Sequence, residues 1–414
     1  MKILFILYHG MECNSAHHVR ALAEQLALAG DRCTVAVPDA YAPVLSGAVG
    51  GNTVEPLFSR SYVAEKGGPA VVSFGALRRA LTAGATDEAA DIVVAWTPRE
   101  NLRPLALAAA RRWRVPCVVH LEDNEDAITA RYLGVPCERI AALGWWTLRR
   151  IRGLALSHPR RMRSFMQQVD GTSMIISSLS EFAACCKPSR VFWPGYDEAL
   201  FNAETSAPAP EERRRILRSY GVADNELGLV YTGNIHYGNA EDMQILYATV
   251  ATLNHCGTPT RLIRTGETHV ADFEQRMGEA MQYVNSPGLL PRRELPHLIG
   301  AADVLVQPGL PGIFNDYRFP SKLPEYLVSG RPVVMTRTNL GRYLSDGEEA
   351  LVVPGGQVGE MVDAVQRLAA SGHLCAQLGH KGRAFARHEL RWHKAAEAFR
   401  ELLTEVCDKN GLKV

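Results

Sequence analysis

Short runs of apolar and β-branched residues alternate with stretches of helical periodicity along the whole length of this chain. Alternation of this kind is typical of βα units whose strands pair in parallel sheets. The apolar runs lack a polar face, as expected for strands that helices cover on both sides. The pattern therefore predicts the α/β class. In the first half, the predicted strands are residues 3–8, 33–37, 91–96, 116–120, 173–176 and 190–193.

The alternation is interrupted at residues 201–224, where proline and charged residues are frequent and no strand pattern is visible. It then resumes, and the predicted strands of the second half are residues 227–231, 261–264, 303–306, 332–335 and 350–353. A chain of 414 residues is too long for a single hydrophobic core. We therefore predict an N-terminal domain at residues 1–200, a second domain at 201–390 and a C-terminal helix at 391–414.

Composition and charge exclude several classes of protein. The 45 Lys and Arg residues are balanced by 44 Asp and Glu, so no overall field attracts the chain to nucleic acid. The longest uncharged stretch, residues 243–260, contains too many polar residues for a membrane-spanning helix. The nine cysteines form no CxxC pair, and the N-terminal apolar run is too short for a secretion signal. We therefore expect a cytoplasmic protein without a zinc site or a disulfide framework.

Two loops of the first half are candidates for ligand binding, because open α/β domains bind ligands at the carboxyl ends of their strands. After the first strand, HGMECNSAHH offers Gly10, where a backbone can approach a ligand closely; the alternative is a plain tight turn. After the fourth strand, VPCVVHLEDNED delivers His120 and then Asp123 within an acidic stretch. Carboxylates there suit sugar hydroxyls, and the alternatives are a solvated acidic loop and a structural histidine.

The most informative stretch is residues 307–336, QPGLPGIFNDYRFPSKLPEYLVSGRPVVMT. Its prolines and glycines predict an irregular loop, after which SKLPEYLVSG begins a helix. An anion suits that helix start, next to Ser321 and the positive charge of Lys322. Glu325, about one turn on, can accept two hydrogen bonds from a vicinal diol such as a ribose. The stretch therefore suits a nucleoside diphosphate, although a Lys and a Glu at this spacing also occur as a plain surface pair.

These residues resemble a known family. VLVQPG, PSKLPEYLVSGRPVV and DGEEALVVPGG are similar to the donor-binding region of family 4 glycosyltransferases of the GT-B fold, in the branch with a P-S-K-L-x-E-Y motif. VFWPGYDEALF, VYTGNIHYGNAED and LPRRELPHLIGAADVLVQPG extend the resemblance over most of the chain. It implies two Rossmann-like domains whose parallel sheets face each other across a cleft, with the C-terminal helix crossing back to the N-terminal domain.

The resemblance also implies roles for individual residues. Glu325 would hold the nucleotide ribose, and Lys322 with the Ser321 amide would hold the diphosphate. His120 would face the donor sugar, with Asp123 near donor or acceptor, so that His120, Asp123 and Lys322 form the catalytic set. The full donor-binding set is Gly10, Gly233, Asn234, Arg264, Asn315, Asp316, Tyr317, Arg318, Ser321, Lys322, Leu323 and Glu325.

The sequence departs from the family pattern at three places. Tyr317 stands where many members have a glutamate that contacts the donor sugar, so Asn315, Asp316 or Arg318 would substitute. GNIHYGN replaces G-R-x-x-x-K-G after the first strand of the second domain, so that Arg264, Arg318 or Lys322 must supply the positive charge. The N-terminal double glycine is His9-Gly10.

The activity that the resemblance implies is transfer of a sugar from a nucleoside diphosphate sugar to an acceptor hydroxyl with retained configuration, in the synthesis of cell-surface polysaccharide, glycolipid or natural-product glycoside. No metal or other cofactor is expected, because the chain has no Asp-x-Asp pair suited to Mg²⁺. Two alternatives are a GT-B sugar-nucleotide epimerase and a catalytically silent nucleotide-sugar-binding protein. The acceptor is expected to be a sugar or a lipid-linked molecule.

One further stretch, residues 139–165, contains seven arginines, no acidic residue, and the pair Trp145-Trp146. Arginines beside tryptophans suit a membrane surface with anionic headgroups. The stretch therefore predicts peripheral contact with a membrane. The alternative is a solvated helix pair that frames the acceptor cleft.

Overall fold

A computed structural model describes residues 1–41, 69–83, 89–202 and 208–412; the side chain of Trp145 also lies outside the described part. The strands are β1 (Lys2–Ile6), β2 (Arg32–Val37), β3 (Ala70–Ser73), β4 (Ile92–Trp96), β5 (Cys117–Leu121), β6 (Gly171–Met174), β7 (Ser189–Val191), β8 (Leu227–Thr232), β9 (Thr260–Thr265), β10 (Val284–Gly288), β11 (Val304–Gln307), β12 (Val333–Thr336) and β13 (Leu351–Val353).

The helices are α1 (Asn14–Leu28), α2 (Phe74–Ala83), α3 (Arg103–Trp113), α4 (Glu125–Leu133), α5 (Leu148–Gly153), α6 (Pro159–Gln168), α7 (Pro210–Ser219), α8 (Ala240–His255), α9 (Phe273–Met277), α10 (Leu295–Ala301), α11 (Leu323–Ser329), α12 (Val358–Ala370), α13 (Gly372–Glu389) and α14 (Trp392–Lys409). Every strand predicted from the sequence is present, to within two residues at either end. Strands β3 and β10 were not predicted.

The chain forms two compact units. Unit 1 comprises Met1–Trp193 and Trp392–Val414, and unit 2 comprises Pro194–Arg391. Unit 1 contains a parallel sheet in the order β3-β2-β1-β4-β5-β6-β7, and unit 2 contains a parallel sheet in the order β10-β9-β8-β11-β12-β13. The predicted α/β architecture of two Rossmann-like domains is therefore confirmed.

Each sheet reverses its strand order once, next to its first strand. The reversal lies between β1 and β4 in unit 1, and between β8 and β11 in unit 2. Loops that leave two such strands diverge and open a crevice at the carboxyl edge of the sheet. In unit 2, the loops after β8 and β11 therefore border one crevice. In unit 1, the loops after β1 and β4 border another.

Helix α14 completes unit 1, as the resemblance implied. It packs against α1, β6 and β7. Its Phe399 is fully buried and contacts the rings of Phe5 and Phe192, which brings the last helix into the same core as the first strand. Unit 2 has a separate core, formed around β8, β11 and α8. Among the described helices, none is both long and apolar enough to cross a membrane.

Candidate functional site

The polar residues predicted from the P-S-K-L-x-E-Y stretch lie at the start of α11 in unit 2. The strand β11 ends at Gln307, and an irregular loop leads to Lys322, which directly precedes the helix. Ser321 and Lys322 are half-buried, whereas Leu323 is fully buried. Pro324 is in the first turn, where its missing N–H is not needed for helical hydrogen bonding. Lys322 and Glu325 therefore lie about one helical turn apart, as predicted from the sequence.

Lys322 reaches the loop that follows β8. Its Nζ atom lies 3.7 Å from the centroid of the Tyr231 ring, within range of a cation–π interaction. Gly233 in that loop has φ = +143°, and a Cβ atom added to it would lie 2.9 Å from Lys322 Nζ. A side chain at position 233 would therefore displace the ammonium group. Burial lowers the pKa of Lys322, because it disfavours the charged form.

Asn234, the second residue of the same loop, is exposed and has a structural contact. Its Oδ1 accepts a hydrogen bond of 2.9 Å from the backbone N–H of Glu267, in the loop that follows β9. Its backbone carbonyl accepts a hydrogen bond from Asn239. These bonds fix the path of the loop after β8, so that Gly233 is held against Lys322.

Glu325 is a buried carboxylate in the first turn of α11, with 7% of its surface exposed. Its Oε1 accepts a hydrogen bond of 2.9 Å from Nη2 of Arg292. Burial raises the pKa of Glu325, and the charge of Arg292 acts in the opposite direction. Arg292 was not predicted as a site residue, because in LPRREL it has the pattern of a surface arginine.

Asp242, also absent from the predicted set, anchors the loop after β11. It is buried in the first turn of α8, and its carboxylate accepts hydrogen bonds from the Leu310 N–H (2.8 Å) and from Asn315 Nδ2 (3.1 Å to each oxygen). Arg318 Nη2 lies 3.7 Å from the same carboxylate. The predicted residues Asn315 and Arg318 are therefore brought together by an acid from another helix.

Asp316 and Tyr317 belong to the same short 3-10 turn, Asn315–Tyr317. Asp316 Oδ2 forms an ion pair of 2.7 Å with Arg342 and accepts a hydrogen bond from the Gly312 N–H. Tyr317 is half-buried. Asp242 therefore holds this turn through Asn315, and Arg342 holds it through Asp316.

Several buried polar atoms of this loop have no hydrogen-bond partner in the part of the chain that the structure describes. They are Gln307 Oε1, Asn315 Oδ1, Asp316 Oδ1 and Arg318 Nε. A buried polar atom without a partner costs free energy, so such atoms usually meet a ligand or an ordered water. Acceptors and a donor concentrated in one loop suit a ligand rich in hydroxyl groups.

Arg264 differs from the other predicted cations, because its terminal nitrogens are already occupied. Nη1 donates to the carbonyl of Gly266 (2.7 Å), and Nη2 donates to Thr268 and to Glu274. The side chain is almost fully buried. Arg264 therefore holds its own loop in place. Of the three predicted cations, Lys322 and Arg318 remain available to a ligand at the start of α11.

In unit 1, Gly10 and His120 lie at the carboxyl edge of the sheet. Gly10 is buried in the loop between β1 and α1, where the carboxylate of Glu12 folds against it. His120 is fully buried on β5, with its ring between Trp96 (centroids 4.0 Å apart) and Phe192 (4.9 Å). Its Nδ1 is 2.9 Å from Ser173 Oγ, while Nε2 has no partner within the described chain. Burial lowers the pKa of His120 to about 3, so the ring is neutral.

The acidic stretch after β5 is not a solvated loop. Glu122 is buried and accepts hydrogen bonds from Ser15 and from His18 Nδ1 (2.9 Å). Although burial alone would raise the pKa of Glu122, the hydrogen bond and charge of His18 bring it down to about 2. Glu125 pairs with Arg99 at 3.0 Å. Asp123, the predicted member, is half-buried beside them.

The arginines of the basic stretch of unit 1 differ in whether they form ion pairs. Arg161 and Arg163 form ion pairs with acidic residues of the same unit. In contrast, the arginines of α5 are exposed, and Trp146 before this helix has 86% of its surface exposed. The exposed arginines outside these two ion pairs are Arg139, Arg149, Arg150, Arg152 and Arg160. Cations and an apolar ring therefore occur together on one surface segment.

No cluster of three or more His, Cys, Asp or Glu side chains that could hold a metal ion is present among the residues that the structure describes. The expectation of a cofactor-free protein stays a prediction.

Residues 226–371 match the profile of the protein family described as Glycosyl transferases group 1. This region begins at the residue before β8 and ends at Ser371, the residue before α13. It includes Asp242, Lys322 and Glu325. A comparison with curated protein sequences finds no significant match.

Solved structures of similar fold cover nearly the whole chain. Anabaena HepE in complex with UDP-glucose has a TM-score of 0.68 at 14% identity, over 98% of this chain and 100% of that chain. Sucrose-phosphate synthase from Thermosynechococcus elongatus has a TM-score of 0.67 at 15% identity, over 99% and 100%. WaaG, a glycosyltransferase involved in lipopolysaccharide biosynthesis, has a TM-score of 0.63 at 16% identity, over 97% and 99%. The fold is therefore GT-B.

Proposed function

We propose that this chain transfers a hexose from a nucleoside diphosphate sugar to an acceptor hydroxyl, with retention of anomeric configuration. The observation that carries the proposal is the arrangement at the start of α11, where Lys322 and Glu325 lie one turn apart beside the glycine loop after β8. The match of residues 226–371 to group 1 glycosyl transferases supports it. So does the UDP-glucose bound by the structurally similar HepE.

In this proposal, each polar group of the site has a task. The carboxylate of Glu325 accepts hydrogen bonds from the two ribose hydroxyls, and Lys322 lies against the diphosphate. Breaking the glycosidic bond leaves negative charge on that diphosphate, and its stabilisation is the main requirement of the reaction. Because Arg264 is occupied by its own loop, the charge comes from Lys322 and Arg318.

The donor sugar is recognised by the loop that Asp242 anchors. Asn315, Asp316 and Arg318 each hold a buried polar atom without a partner in the described chain, and a hexose offers hydroxyl groups to satisfy them. Tyr317 stands where the resembling family has a glutamate, so these three residues take its place. We propose no metal, because the cations of the loop supply the charge. The roles that the resemblance gives to Gly10, His120 and Asp123 stay predictions.

The first test is a thermal-shift screen of the purified protein against nucleoside diphosphates and their sugars. A ligand that binds only the folded state raises its melting temperature. We expect one base to give a clear response, and we expect Lys322→Met to remove it. The same change at Lys381, which is on α13 and pairs with Glu348, is the control. A panel without any response, or Lys322→Met responding like the wild type, would refute the donor site.

Turnover provides the second readout. With donor and acceptor present, we expect Lys322→Met to lower kcat by about a hundredfold or more, as found when one donor to a developing negative charge is removed. Lys381→Met should retain wild-type turnover. Product analysis separates the alternatives: a changed donor sugar without any acceptor would identify an epimerase, and binding without any product would identify a silent binding protein.

We also propose that unit 1 contacts the cytoplasmic face of a membrane, and that the acceptor is a glycolipid or a lipid-linked sugar. The exposed arginines of α5 beside Trp146 carry this proposal. Anionic headgroups attract the arginines, and the membrane–water interface accommodates the tryptophan ring. We expect sedimentation with vesicles that contain phosphatidylglycerol, and little with pure phosphatidylcholine. Changing Arg149, Arg150 and Arg152 to glutamine should abolish the difference. Equal binding to both vesicles would contradict the proposal.

A further inference from the structure

Arg292 makes a specific contact with the carboxylate that the proposed function assigns to the ribose. It belongs to a 3-10 turn, Arg292–Glu294, just before α10. Its Nη2 donates to Glu325 Oε1 at 2.9 Å and lies 3.9 Å from Asp197 Oδ2. The side chain of Arg292 is 44% exposed, whereas that of Glu325 is only 9% exposed. A partly exposed arginine thus reaches a carboxylate that is almost enclosed.

The contact leaves part of the carboxylate available. A carboxylate has about four acceptor positions on its two oxygens, and the hydrogen bond from Arg292 uses one position on Oε1. Within the described chain, no residue donates a hydrogen bond to Oε2. Acceptor positions for a vicinal diol therefore remain on Glu325 while Arg292 stays in place. The hydrogen bond from Arg292 also restricts the rotation of the carboxylate group.

We propose that Arg292 is a positioning residue for nucleotide recognition: it holds Glu325 in the orientation and the ionised form that bind the two ribose hydroxyls. This inference rests on the proposed function, because it assigns a task to the same donor site. It adds a residue that neither the P-S-K-L-x-E-Y motif nor the family resemblance identified.

The charges around Glu325 give the inference a pH dependence. Burial raises the pKa of Glu325, the charges of Arg292 and Lys322 lower it, and the charge of Asp197 raises it. Without Arg292, only Lys322 still lowers the pKa of Glu325, whereas burial and Asp197 continue to raise it. The pKa of Glu325 therefore rises further. A protonated Glu325 has fewer acceptor positions for a diol. Loss of Arg292 should therefore weaken nucleotide binding at acidic pH and much less at alkaline pH.

The experiment is calorimetric titration with uridine, adenosine and guanosine diphosphates at about pH 5.5 and about pH 8. Arg293→Gln is the matched control, because Arg293 is the neighbouring exposed arginine. Relative to this control, we expect Arg292→Gln to raise the Kd by about tenfold at the lower pH and far less at the higher pH. Comparison at each pH cancels the titration of the diphosphate itself. Arg292→Lys should restore part of the affinity.

A second measurement connects the effect to the ribose. The 2′-deoxy form of the same diphosphate should bind the wild type more weakly, and the loss should be smaller in Arg292→Gln. If the wild type binds a diphosphate but Arg292→Gln matches Arg293→Gln at both pH values, the inference is wrong and the proposed function stands. If the wild type binds none of the three diphosphates, the proposed function and the inference fall together.

Discussion

His120 shows how burial decides what chemistry a single side chain can perform. The ring is fully enclosed, and burial lowers its pKa from 6.5 to about 3. A histidine of this kind is neutral at every pH at which the protein is expected to work, so it cannot serve as an acid near neutrality. It can still offer Nε2, which has no partner in the described part of the chain, as a neutral hydrogen-bonding atom.

The same burial makes His120 a source of acid sensitivity. Below pH 6.5 the unfolded chain binds a proton at this histidine, whereas the folded chain stays neutral down to about pH 3, so stability falls as the pH falls. Between about pH 6.5 and about pH 4.5, we expect the wild type to lose up to about 3 kcal/mol more unfolding free energy than His120→Gln loses. Urea denaturation across this range measures it.

The control for this prediction is His255→Gln, because His255 is exposed in unit 2. The unfolding free energy of His255→Gln should change with pH as that of the wild type does. Glu122 does not interfere: its pKa of about 2 lies below its unfolded value of 4.5, so its stabilising contribution is lost only below about pH 4.5. Parallel curves for His120→Gln and the wild type would show that the ring gains a proton without unfolding.

At the residue scale, the sequence was sufficient for groups whose role depends on near neighbours in the chain. Lys322 and Glu325 lie one helical turn apart, and helix geometry alone brings them to one site. It was not sufficient for Arg264, whose partners Gly266, Thr268 and Glu274 depend on how the loop after β9 folds back. Burial of His120 is likewise set by Trp96 and Phe192, distant in the sequence.

At the scale of elements, helix α8 supports the donor loop from outside it. Asp242 in its first turn binds the Leu310 N–H and Asn315, and approaches Arg318. An acid in the first turn of a helix is expected from the helix dipole alone, so the sequence gives no hint of this contact. Only the neighbouring position of β8 and β11 in the sheet brings α8 to the loop after β11.

We therefore predict that Asp242→Asn loosens the donor loop. One acceptor oxygen is lost and the charge opposite Arg318 disappears, which should lower the free energy of unfolding by about 1–3 kcal/mol. The thermal response to the nucleoside diphosphate sugar should be lost, while part of the response to the diphosphate alone should remain, because Lys322 and Glu325 are on α11. Glu241→Gln is the control on the adjacent, exposed position of α8. Equal responses of Asp242→Asn and Glu241→Gln would contradict the anchoring role.

The two strands missing from the prediction differ in sequence. Strand β10, Val284–Gly288, reads VNSPG and contains a proline and a glycine, which are rare inside strands. It is an edge strand of its sheet, and so is β3 (Ala70–Ser73). Strand β3 reads AVVS and has only three apolar residues in a row, whereas the first strand of the chain was predicted from the six-residue run ILFILY.

At the scale of the molecule, the return of α14 to unit 1 is the feature that local patterns could not predict. The helical periodicity of the last residues was visible, but a helix at the end of the chain can pack on either unit. Only the family resemblance indicated unit 1. In the structure, Phe399 of α14 lies in the core with Phe5, Trp96 and Phe192, with ring centroids 5.5 to 6.4 Å apart.

This packing predicts a large effect confined to unit 1. Phe399→Ala should lower its unfolding free energy by about 3–5 kcal/mol, the usual cost of removing a buried phenylalanine. Glu401→Ala on the exposed side of α14 should change it by less than about 0.5 kcal/mol. Tryptophan fluorescence reports on unit 1 specifically, because all six tryptophans, Trp96, Trp113, Trp145, Trp146, Trp193 and Trp392, belong to it. An unchanged fluorescence transition in Phe399→Ala would disprove the packing.

The same return has a consequence during translation. Unit 2 is one continuous stretch of chain, so all of it emerges from the ribosome before α14 does. Unit 1 is made in two parts, and until α14 emerges, the surface of β1 and α1 that Phe399 covers is open to water. Domains generally fold as units, so unit 1 cannot complete its core until α14 has emerged. The unit at the amino end is therefore completed second, and its nascent form presents an apolar surface to chaperones while the later unit is already folding.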